Sequence, residues 1–282
     1  MTQTSNNNPL SKYFRQPAIH LRLPSGGKYY PQGALNLPPN GEIPIFPMTA
    51  VDEITNRTPD ALFNGSSTMG IIGSCVPNIT DPWAIPSIDL SALLCSVRLA
   101  SYGHEMNITS SCPKCGHTHD VTVDLREVLD AIQMPDYNIG LTIGDLNFYF
   151  TPLSYRQLNE ISRIQYEDSK LMQTLQNAEL SEEERLGKLG EAFRRVTALT
   201  VRSIAASIGS IKTQDSMVTD RAQIEELLMN APKSLFESVK NAVISLREQT
   251  ELKPVSMTCE ECTHEYKQEF TLDMSNFFET AS

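Results

Sequence analysis

Four of the six cysteines fall in two C-x-x-C turns, Cys112-Pro113-Lys114-Cys115 and Cys259-Glu260-Glu261-Cys262. Thiolates spaced this way on a tight turn converge on one ion while nearby backbone amides hydrogen-bond the sulfurs, and a second such turn completes a tetrahedral site. Cys112, Cys115, Cys259 and Cys262 are therefore the expected ligands of one structural Zn2+. With four protein ligands no position is left for water, so hydrolytic zinc chemistry is disfavoured. A redox role needs only one pair, in a strand-to-helix context that neither turn has. His117, His119 and His264 flank the turns and read as supporting or surface groups; the alternative is that one of them replaces a cysteine. Cys75 and Cys95 sit among apolar residues on predicted helices and read as small core hydrophobes.

The elements that must position these thiols are two alike hairpins. Met106 and Ile108 before the first turn, and Val121, Val123 and Leu125 after it, alternate as half-buried strands do, and Tyr266, Gln268, Phe270, Leu272 and Met274 repeat the pattern after the second. Together they read as a zinc ribbon whose halves normally lie about 15–20 residues apart. Here the separation exceeds a hundred residues. A folded insertion inside the ribbon is thermodynamically cheap, because loop-closure entropy grows only logarithmically with length.

That insertion is read as helical. Ser154 with Gln157 forms a capping-box pattern, and helices are expected over about 154–177, 181–211, 220–230 and 231–249. Ser181-Glu182-Glu183-Glu184 places acids where the helix dipole favours them, and Pro232 is tolerated in a first turn. Upstream, 125–132 reads as a short helix and 141–150 as a hairpin turning at Gly144-Asp145. Earlier still, Thr49 with Asp52 and Glu53, Thr58-Pro59-Asp60, and Ser66-Ser67 read as helix starts. Residues 89–102 form a predicted core helix stopped by Gly103. Glu42-Ile43-Pro44-Ile45-Phe46-Pro47 reads as an edge strand. Ser25-Gly26-Gly27-Lys28 is a glycine turn without the spacing of a phosphate loop. The fold class is α+β: a split zinc-ribbon-like hairpin core with N-terminal short helices and loops and a large α-helical insertion. The expected organisation is a flexible tail over 1–18, a core made of 19–152 with 250–282, and a helical insertion over 153–249.

Charge and composition narrow the function. A formal net charge of −11 with ordinary hydrophobic content describes a folded chain that is poorly suited to phosphate backbones. A nucleic-acid-binding ribbon is therefore disfavoured, the more so since the second turn carries Glu260 and Glu261. No apolar run approaches the roughly 18 residues of a membrane span, and the polar start lacks the features of an export signal, so reduced thiols and a cytoplasmic site of assembly are expected. No Ser-His-Asp arrangement, H-E-x-x-H helix or paired-carboxylate pattern stands out, and no enzyme is expected.

Several blocks in the first 125 or so residues are specific when taken together: Pro24-Ser25-Gly26-Gly27-Lys28-Tyr29-Tyr30-Pro31-Gln32-Gly33, Pro47-Met48-Thr49-Ala50-Val51-Asp52-Glu53, Pro59-Asp60-Ala61-Leu62-Phe63-Asn64-Gly65, Ser74-Cys75-Val76-Pro77, and Arg98-Leu99-Ala100-Ser101-Tyr102-Gly103 followed by Cys112-Pro113-Lys114-Cys115. In this order they resemble the baseplate hub family of contractile-tailed, T-even-like bacteriophages. The resemblance implies a structural or assembly role in the hub, with other hub or tail proteins as partners, oligomerisation in assembly, and a place in the virion tail baseplate if the protein is retained. Some members resemble tail assembly chaperones, which implies the alternative of a protein that binds the tape-measure protein and is absent from the mature virion. No catalytic residues come with the family, and the quoted blocks do not reach the helical segment from Ser154 to Gln249.

Overall fold

The computed structural model describes residues 8–56, 65–177 and 182–268. It is a mixed α+β structure built from small antiparallel sheets and helices around two hydrophobic cores.

The first core starts at β1 (Ile19–Arg22) and β2 (Glu42–Ile45), paired with Ile19 opposite Ile45. Pro44 is tolerated because a two-stranded ribbon is all edge, and its neighbours Ile43 and Ile45 are fully buried. Against this ribbon packs α3 (Ser87–Tyr102), with α2 (Ser66–Cys75) on α3 and α1 (Ala50–Asn56) alongside α2. The predicted cap of α1 is present: Asp52 N donates to Thr49 Oγ1 (3.3 Å) and Thr49 N to Asp52 Oδ2 (2.7 Å). Thr58-Pro59-Asp60 lies outside the described residues. Gly103, at φ +87°, closes α3 by donating to Leu99 O.

Within the expected N-terminal tail, Arg15 is fastened to this unit. Its Nη1 donates to Pro47 O and Asp52, and its Nη2 to the carbonyl and hydroxyl of Ser74. The start of α2 also differs from expectation. Neither Ser66 nor Ser67 caps it; Gly65 stands at the N-cap with φ +73°. A Cβ there would come within 2.7 Å of Asn159 Oδ1 and 2.8 Å of Tyr155 Oη, so close packing against the next long helix selects glycine.

From α3 the chain enters the hairpin β3 (Glu105–Ser111) and β4 (Thr118–Asp124), then α4 (Leu125–Asp130). Val123 and Leu125 at its base are buried in the first core, which Leu252 and Val255 join from the far end of the sequence. The last described strands, β9 (Val255–Thr258) and β10 (Glu265–Gln268), form the second cysteine hairpin.

Between the hairpins lies the second core. It contains a four-stranded antiparallel sheet, in spatial order β5 (Leu141–Ile143), β6 (Leu146–Phe150), β7 (Ile208–Lys212), β8 (Met217–Val218). The helices are α5 (Tyr155–Asn177), α6 (Glu182–Ala206), α7 (Arg221–Asn230) and α8 (Lys233–Thr250). The capping box of α5 is formed, with Ser154 N donating to Gln157 Oε1 (2.9 Å) and Gln157 N to Ser154 Oγ (3.4 Å).

The helix expected to run to residue 211 ends at Ala206, and its last residues form β7. A bulge in β7 at Gly209, opposite Tyr149 and Phe150, is the reason: Phe148 faces Ile211 and Phe150 faces Ile208. Two inward residues on one strand thus meet a pair three apart on the other, and that three-residue spacing of Ile208 and Ile211 mimics a helix. The segment from 153 to 249 is therefore not purely helical. Phe148 and Phe150, from the hairpin preceding it, pack in the same core as Ile204, Ile224 and Val239.

Candidate metal centre

Both cysteine turns are built the same way. In the first, Cys112 N donates to His117 O and Gly116 N to Cys112 O, each at 2.9 Å; in the second, Cys259 N donates to His264 O and Thr263 N to Cys259 O, again at 2.9 Å. The geometry requires a left-handed residue after the second cysteine of each turn. Gly116 takes it at φ +72°, and Thr263 takes it at φ +53°. Threonine is a poor occupant of that region because its Cβ approaches the carbonyl oxygen.

The two tips meet. Cys112 Sγ lies 3.7 Å from Cys262 Sγ, and Cys115 Sγ lies 3.6 Å from Cys259 Sγ. All four sulfurs fall within 4.8 Å of one another. A tetrahedral ion with sulfur ligands at roughly 2.3 Å sets neighbouring sulfurs about 3.8 Å apart, so the four side chains fit one such ion. Cys112 and Cys259 are buried and Cys115 is exposed at the tip.

The electrostatics fit as well. Burial raises the Cys112 thiol, but the amides of Cys115 and Lys114 outweigh it and hold it down to about 6. At Cys115 the His117 amide favours the thiolate, yet burial and the neighbouring thiols of Cys262, Cys259 and Cys112 push it up to about 12. Thiols this close cannot all ionise by themselves; a divalent cation at their centre removes the conflict.

The two hairpins are also joined below the tips. Ser110 Oγ lies 2.7 Å from Tyr266 Oη and donates to Gln268 Oε1 at 2.8 Å. The His119 ring meets Tyr266 edge-on with centroids 6.5 Å apart. His119 and Tyr266 hold corresponding positions in the two hairpins, two residues past His117 and His264. Their rings stack on those of His117 and His264. The flanking histidines thus act through main-chain carbonyls and ring packing, and among the described residues no imidazole joins the four sulfurs. This clasp is not evident from the sequence, although aligning the two hairpins pairs His119 with Tyr266.

The other two cysteines are remote from the tips. Burial pushes the Cys75 thiol up to about 11, with the charge of Asp52 adding to the effect and Arg15 opposing it, and burial pushes Cys95 up to about 12. Both are fully buried core residues. No helix among the described residues is long and apolar enough to cross a membrane.

The mixed fold thus brings together, at the tips of two hairpins far apart in the sequence, four cysteines that could hold one metal ion. The T4 bacteriophage base plate protein family matches residues 17–279, nearly the whole chain, and the chain belongs to that family. Membership makes a structural component of the phage tail, in contact with other tail proteins, the role its family suggests. Comparison with curated proteins yields no match. Comparison with solved structures likewise yields none.

Proposed function

We propose that this chain is a non-enzymatic structural or assembly component of the baseplate hub, and that its cysteine hairpins are the halves of a split zinc ribbon clamped by one structural Zn2+. The observation that carries the reading is the convergence of Cys112, Cys115, Cys259 and Cys262 at the spacing of a tetrahedral thiolate set, in a chain of the base plate family. Sulfur-only ligation in a tetrahedron favours zinc, which brings no redox chemistry of its own. With every coordination position filled by protein, the metal fastens both ends of a long insertion and presents no site for substrate. The product of such a protein is an interface, and in a hub that interface is repeated by symmetry.

Metal analysis tests the zinc reading. The purified chain is expected to carry one zinc per molecule, lost together with thermal stability in Cys112→Ser and in Cys259→Ser. Unchanged metal content in those variants would overturn it. Mass spectrometry of purified virions tests the structural role, for which the chain must be present.

The second reading is a tail assembly chaperone that cradles the tape-measure protein and leaves before maturation. It draws on α6, where Phe193 and Val196 stand exposed one helical turn apart. Absence from virions combined with co-purification of unassembled tape-measure protein would favour it.

A further inference from the structure

At the seam between the two cores is a cavity of about 240 Å3. Its walls are largely apolar, with Leu90 from α3, Phe150 from the end of β6, Leu153 from the segment after it, and Val243 and Leu246 from α8. One charged group stands out on this lining. Arg247 is half-buried, and its Nη2 donates to Ser203 Oγ at 2.9 Å and to Ser207 Oγ at 3.4 Å. No carboxylate lies within ion-pair distance of it among the described residues. Glu251, one turn further along, also borders the cavity but is exposed and makes no ion pair with it.

We infer that this cavity binds a carboxylate carried on an apolar group, presented by a peptide segment of a partner protein, with Arg247 as the counter-ion. A half-buried guanidinium with only neutral hydrogen-bond partners gains from an anion, and a carboxylate supplies charge-assisted, two-pronged hydrogen bonds. Ser203 and Ser207 hold the group in place beforehand, which lowers the entropic cost of capture. Desolvation already lowers the Arg247 pKa in the free chain, while the charge of Tyr137 opposes it. The apolar walls select what accompanies the charge. At this volume the cavity suits one or two side chains, since cofactor pockets run from about 300 to 1,000 Å3. The carboxylate chemistry stands on the cavity alone; that a tail protein delivers it rests on the function proposed above.

The experiment uses the full chain and small probes, so it is independent of that function. Calorimetric titration compares N-acetyl-leucine, which offers a terminal carboxylate, acetyl-Leu-Glu-Leu-amide, which offers a side-chain carboxylate, and the neutral N-acetyl-leucinamide. One or both acids should bind saturably and at least tenfold more tightly than the neutral amide, and whichever binds identifies the source of the carboxylate. Arg247→Gln should erase that preference. Leu90→Trp, which fills the cavity and keeps the arginine, should abolish binding while the circular dichroism melt stays cooperative, and it decides the matter if Arg247→Gln does not fold. Equal affinity for the neutral amide, no binding of any probe, or binding that survives Leu90→Trp overturns the proposal.

Discussion

Asp89 is a carboxylate with no exposed surface, in the first turn of α3. Its Oδ1 accepts the amide of Ser25 at 2.8 Å and its Oδ2 accepts the Ser25 hydroxyl at 2.6 Å, which ties the glycine turn of residues 25–28 to the core helix. Burial raises its pKa, and the Ser25 hydroxyl and amide restrain the rise. The folded protein therefore holds the Asp89 proton more tightly than the unfolded chain. The resulting stability is greatest below the unfolded value of about 3.9 and is lost as pH rises through the folded one. Urea unfolding at several pH values above 4 should show wild type losing stability relative to Asp89→Asn as pH increases. A gap between the two proteins that does not change with pH would mean that Asp89 ionises as freely as an exposed carboxylate. Ser25→Ala removes a charge-assisted donor from a buried acceptor and should cost about 1.5–3 kcal/mol in the same assay.

At the scale of the element, the two cysteine turns share one backbone and differ in how comfortably they hold it. Thr263 at φ +53° bears a left-handed cost of roughly 1–2 kcal/mol, partly offset for glycine by the entropy it loses on folding. Thr263→Gly should therefore stabilise the second hairpin by about 0.5–1 kcal/mol, read as a higher Tm or slower loss of metal to a chelator. The reverse holds at Gly116, where an added Cβ meets nothing within 4 Å. Gly116→Ala should cost about 1 kcal/mol, from backbone strain alone. Removal of the proposed metal is an element-scale test too. The tips are held by the thiol cluster, Ser110 and the His119–Tyr266 contact, while the base of β3–β4 is anchored by Val123 and Leu125 in the first core. Chelation should speed amide exchange at 110–119 and 256–266 and leave β6 and β7 protected. Uniform loss of protection would show the metal supporting the whole fold.

For the whole molecule, the question is how two cores share one chain. Ile72 in the first and Phe148 in the second are both fully buried. Truncation to alanine should cost about 2–5 kcal/mol for Ile72 and about 3–5 kcal/mol for Phe148. Because they share no cluster, the double variant should equal the sum of the two to within about 0.5 kcal/mol. A larger coupling energy would show that the seam around the Arg247 cavity transmits packing between the cores.

What the sequence determined by itself was local or strongly typed. The C-x-x-C pairs and their flanking alternation marked both hairpins, the Thr49–Asp52 and Ser154–Gln157 pairs marked helix starts, and Gly103 marked a stop, because caps and turns are settled by residues a few positions apart. The tertiary structure alone decided what depended on distant neighbours. It brought the thiols of the two hairpins within bonding range of one ion, put glycine rather than serine at the start of α2 because α5 crowds it, and made residues 208–212 a bulged strand paired with β6. The same is true of Asp89 and Arg247: an isolated acid or base in a sequence has no environment until folding removes its water and supplies, or withholds, its partner.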